Sequence, residues 1–124
     1  MIKQILCFRR KADVSALQFR DYWNTEFEQF IRSVAVKLGC RRLTKSLTLQ
    51  VEENQLLQQR QQFEAPFDGV VEMWFDQPKA SFEATASEEW QQMVKTLTEG
   101  KHFALDLKRS TSFYADETII IDKA

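Results

Sequence analysis

One histidine, two tyrosines and a glutamate set in an apolar run are the side chains of this sequence that could move a proton inside an apolar pocket. Glu72 lies in VVEMWF (70–75), between Val71 and Met73. A glutamate buried beside Trp74 would have its charged form disfavoured by desolvation, and could then serve as general acid or base. The bland alternative is a structural glutamate paired with Arg9, Arg42 or Arg109. His102 follows Gly100-Lys101, and histidine is the side chain whose ordinary pKa lies closest to neutrality. Tyr22 could orient a polar substituent of an apolar ligand, and Tyr114 offers a second phenol. Trp23, Trp74 and Phe103 supply flat apolar surface for such a ligand. Glu72, His102 and Tyr22 are therefore the candidate catalytic residues. Trp23, Trp74, Phe103 and Tyr114 are the candidate binding residues.

Other chemistries lack their residues. A single histidine excludes a multi-histidine metal site, and Cys7 and Cys40 lie far apart with no second ligand near either. No glycine-rich nucleotide loop and no GxSxG occurs, so no metal or cofactor is expected. Seventeen basic against eighteen acidic residues leave a net charge of −1, which supplies no field for nucleic acid or an anionic membrane. The opening MIKQILCFRRKAD is too short in its apolar run and too charged for a signal peptide. A cytoplasmic protein with reduced thiols is expected.

The elements that must position these residues follow from periodicity. A length of 124 residues predicts one domain, 1–124. Residues 2–9 read as a buried strand. Ser15 with Gln18 forms a capping box, and Gly39 stands at a helix C-terminus. Between them Leu17, Trp23, Phe27, Phe30, Ile31, Val34 and Leu38 form the stripe of one long amphipathic helix. Residues 41–51 alternate as a strand, and Glu52–Gln62 reads either as a helical excursion or as a mobile connection. Asp68-Gly69 turns into a strand over 70–75. Asp76–Pro78 opens a helix that breaks near Ser87, and a second segment ends at Gly100. Residues 110–121 are β-branched and aromatic, a last strand.

The order βαββαβ predicts an α+β, ferredoxin-like fold with both helices on one face of a four-stranded antiparallel sheet. The third strand carries Val71, Met73 and Phe75 on one face, and Val70, Glu72 and Trp74 on the other. An apolar second face needs a cover, and a homodimer with two sheets packed together supplies it.

The opening strand, the capped helix with FRDYW (19–23), DGVVEMWFD (68–76) and SEEW (87–90) before a closing strand resemble EthD-type proteins of the dimeric α/β-barrel superfamily. The resemblance covers nearly all of the chain except Glu52–Gln62. It implies a homodimeric barrel of ferredoxin-like subunits, each with a small-molecule pocket between sheet and helices. It also implies one of three activities on a small hydrophobic or aromatic molecule: cofactor-independent proton transfer, a non-catalytic accessory role in a degradation pathway, or cofactor-independent monooxygenation. Family members often carry YWxxxHxPL. Here the segment is YWNTEFEQF, with Phe27 in the place of the histidine and Gln29 in that of the proline.

Overall fold

The computed structural model describes residues 1–123. Its elements run β1 (Ile2–Arg10), α1 (Ala16–Asn24), α2 (Glu26–Lys37), β2 (Arg42–Leu47), α3 (Glu52–Gln61), β3 (Gly69–Trp74), α4 (Pro78–Ala84), α5 (Glu88–Thr98) and β4 (Leu105–Asp116). The four strands form one antiparallel sheet in the order β2-β3-β1-β4, the ferredoxin-like arrangement expected.

The expected single helix from Ser15 to Gly39 is two. Ser15 caps α1 through the predicted box: its hydroxyl accepts from the Gln18 N–H, and the Gln18 side chain accepts from the Ser15 N–H. The chain then breaks at Thr25, with φ −121° and ψ −89°. There the Thr25 N–H turns to the Tyr22 carbonyl, and its hydroxyl donates to the Asp21 carbonyl at 2.6 Å. Asn24 and Thr25 both offer the backbone hydrogen bonds that compete with helix continuation, which is why the apolar stripe could persist while the helix did not.

Three strand limits also differ from expectation. The second strand stops at Leu47, because β3 begins opposite it at Gly69, and Leu49 and Val51 are left exposed. The open segment 52–62 is helical, with no buried residue, and ends at a left-handed Gln62. The last strand starts earlier, at Leu105, since Arg9 and Arg10 continue the ladder past an irregularity where Ser110 Oγ accepts from the Arg9 N–H. It ends at Asp116, which pairs with Ile2; β1 offers no further residues, and Ile119–Ile121 lie exposed beyond it.

The core lies between the helices and one sheet face. Phe8, Val71 and Met73 of the strands meet Phe19, Trp23, Phe27, Ile31 and Val34. Trp23 and Phe27 stack across the break, 4.5 Å between centroids and 3° from parallel. Gly69 permits this contact: a Cβ there would sit 2.7 Å from the Trp23 ring. The register puts Lys3, Ile5, Cys7, Val70, Glu72, Trp74 and Phe113 together on the opposite face, which no helix covers. Among the described residues, no helix is long and apolar enough to cross a membrane.

Candidate functional site

The break at Thr25 and the turn before β4 face each other across a cavity of about 540 Å³. Tyr22 and Thr25 form one wall, Lys101, His102 and Phe103 the other, and Lys11 and Asp13 close the end after β1. Tyr22 is 4% exposed, and its hydroxyl is buried without a hydrogen-bond partner in the protein. Its ring is held edge-on to Phe103 at 6.3 Å and packs against Phe27 at 6.1 Å. Burial, and then the nearby Glu26 carboxylate, raise its pKa well above the ordinary phenol value. Tyr22 is therefore a neutral phenol near pH 7, able to donate one hydrogen bond and accept another.

A buried polar group with no partner costs free energy on the order of 1–3 kcal/mol, and a native structure seldom keeps one without a reason. The remaining walls are polar and charged. Lys11 lies over the Phe103 ring at 4.8 Å, and His102 stands exposed at the rim. Asp21 and Glu26 face the cavity from the helical side, where the bend of the chain at Thr25 brings them together with Tyr22.

The sequence-predicted residues divide between two sides of the sheet. Tyr22, His102 and Phe103 share the cavity. Trp23 does not line it: at 1% exposure it is a core residue between Phe19 and Phe27. Glu72 and Trp74 lie on the uncovered sheet face, as the strand alternation required, and so are separated from Tyr22 and His102 by the sheet. Nor is Glu72 a lone buried acid. Its side chain is 30% exposed and pairs with Lys3 at 2.8 Å, not with Arg9, Arg42 or Arg109. Lys3 also reaches Glu117 at 3.2 Å, and the Trp74 indole N–H donates to that same carboxylate. Arg42 and Lys3 both lie over the Trp74 ring, at 4.8 and 5.1 Å. Tyr114 stands on the helix side of the edge strand, against Phe82 of α4.

Sequence reasoning missed Thr25, Glu26, Lys11 and Lys101 as cavity residues. The Asn24-Thr25 pair was the available signal, since a helix bent there must turn its next residue toward the Tyr22 side. Among the described residues no group of three or more His, Cys, Asp or Glu is placed to hold a metal ion.

The EthD domain model matches residues 11–103. No curated protein matches the sequence. Solved structures do match in fold. A dimeric protein of unknown function and ferredoxin-like fold from Bacteroides fragilis has a TM-score of 0.60 at 15% identity, covering 94% of this chain and 95% of that one. An EthD family protein from Bacillus halodurans has the same score and identity, over 95% of this chain and 100% of its own. HapK from Hahella chejuensis follows at 0.58 and 11% identity, over 100% and 98%.

Proposed function

This chain belongs to the EthD family, and from that premise we propose that it binds a small aromatic molecule bearing a carbonyl or hydroxyl oxygen in the cavity at Tyr22. The observation that carries the reading is Tyr22, which lines the cavity and whose buried hydroxyl has no hydrogen-bond partner in the protein. A ligand oxygen there would restore the missing hydrogen bond, while Phe103 offers the face for an aromatic ring. If the bound molecule reacts, His102 is the group at the cavity mouth able to take or return a proton, with Tyr22 orienting the acceptor. Glu72 belongs to a different part of the proposal. With Lys3, Trp74 and Glu117 it forms a polar cluster beside the apolar Ile5, Val70 and Phe113, and this face packs against the same face of a second copy.

The test uses the fluorescent pair propanoyl(dimethylamino)naphthalene and its analogue with propyl in place of propanoyl. The ketone should bind the wild-type protein about three- to ten-fold more tightly than the alkyl analogue, the worth of one net hydrogen bond. Tyr22→Phe should erase that difference without loss of folding stability. An equal preference for the ketone in Tyr22→Phe would overturn the assignment.

A further inference from the structure

We infer that the cavity continues past Glu26 into the groove between α2 and α5, so that the ligand is an amphiphile: a polar aromatic head at Tyr22 and an alkyl chain along Phe30, Met93 and Leu97. The inference rests on the reading of the Tyr22 cavity as the binding site. Glu26 lines both spaces, and the turn into β4 contributes Gly100 to the groove and Lys101 to the cavity. The two are thus neighbours along one wall. The groove holds about 480 Å³, close to the volume of the cavity. The lining changes character between them. Hydrogen-bonding and charged groups surround Tyr22, whereas Phe30, Met93 and Leu97 dominate beyond Glu26.

The packing of α5 points the same way. Its stripe Trp90, Met93, Val94 and Leu97 recurs at three- and four-residue steps, the pattern of a helix seated on a core. Yet no residue of α5 is buried, while α2 opposite buries Phe27, Ile31, Val34 and Ala35. Trp90 and Met93 pack against the core only in part, and Met93 and Leu97 keep surface in the groove. An ion pair between Lys37 and Glu89 at 2.5 Å bridges the two helices at one end, and the turn at Gly100 closes the other. From Glu26 to Ser33 the channel runs about 10 Å at the helical rise per residue, enough for an extended chain of several methylenes. An apolar channel leading from a polar chamber fits a molecule with that same division.

The experiment is a fluorescence titration of the full chain with acyl(dimethylamino)naphthalenes carrying propanoyl, hexanoyl, octanoyl and dodecanoyl chains. Kd should fall by about two- to four-fold per added methylene until the chain fills the channel, and then level off. Ser33→Trp and Thr96→Trp, at exposed positions on the two walls, should abolish the gain from length and leave the propanoyl Kd within about two-fold of wild type. A Kd independent of length, with propanoyl binding still sensitive to Tyr22→Phe, overturns the channel and leaves the cavity reading intact. A gain that persists in both tryptophan variants sends the chain elsewhere and overturns the channel as well. Failure of the propanoyl probe to bind at all overturns the cavity reading, and the channel with it.

Discussion

Phe27 stands where EthD relatives often carry a histidine, and here its ring is 1% exposed and stacked on Trp23. Five residues earlier Tyr22 keeps an unpaired hydroxyl at the cavity wall. The two positions differ because Phe27 follows Trp23 by four residues on the core-facing stripe, whereas Tyr22 sits about 100° round the helix from Trp23 and borders the cavity. Restoring the histidine should therefore cost rather than help. We expect Phe27→His to lower unfolding free energy by about 2–4 kcal/mol in urea, through lost packing and a buried unpaired imidazole. A stable variant with new turnover would contradict this. Tyr22→Phe, by contrast, should change stability by less than about 0.5 kcal/mol or raise it, since it removes a polar atom that has no partner to lose. The chemistry of Tyr22, His102 and Phe103 was readable from residue type and local spacing. The partner of Glu72 was not: Lys3 reaches it only because β1 and β3 pair in one register, and sequence alone does not fix that pairing.

The same cluster makes a pH-dependent contribution. Hydrogen bonds from Lys3, and then from the Trp74 indole, hold the Glu117 carboxyl below its ordinary value of 4.5. A depressed carboxyl stabilises the fold above that ordinary value, and the stabilisation is lost as pH falls through the lowered one. Urea midpoints taken at neutral pH and at progressively lower pH should thus converge for wild type and Glu117→Gln on acidification. A constant gap between the two would remove Glu117 from the account.

At the scale of elements, the boundary errors share one cause. Strand ends were set by partners: Leu47 ends β2 opposite Gly69, and Asp116 ends β4 opposite Ile2. The β-branched Ile119–Ile121 have strand propensity but no neighbour to pair with, so propensity lost to topology. The Ser15 capping box and the Gly39 helix end worked better, because both act through local geometry alone, as does the Ser87 hydroxyl that accepts from the Trp90 N–H. Gly69 was read as turn chemistry, but its larger role is clearance for Trp23. Gly69→Ala should push a methyl into that ring and cost about 1–3 kcal/mol by thermal or chemical unfolding. No change in stability would mean that α1 is free to lift from β3.

At the scale of the molecule, the helices cover one face of the sheet and leave the other bare. That asymmetry was legible from the two-sided apolar pattern of β3. Pairing through this face, as proposed, would bury Ile5, Val70 and Phe113 and leave the Tyr22 cavity open on the helical side. Phe113 is 46% exposed, so Phe113→Arg should spare the subunit fold while placing like charges across the twofold. Sedimentation velocity should show a wild-type dimer and a folded Phe113→Arg monomer. A wild-type monomer would remove the second copy from the proposal.

The proposed contact between the Tyr22 hydroxyl and a ligand oxygen can be observed directly. There are two tyrosines, Tyr22 in the cavity and Tyr114 across the fold beside Phe82. Carbon-13 labelling of tyrosine therefore gives two ring signals, one of them an internal control. On titration with propanoyl(dimethylamino)naphthalene, the Tyr22 signal should shift in a saturable manner while that of Tyr114 stays in place. A shift confined to Tyr114, or saturable binding that leaves Tyr22 unmoved, would contradict the account.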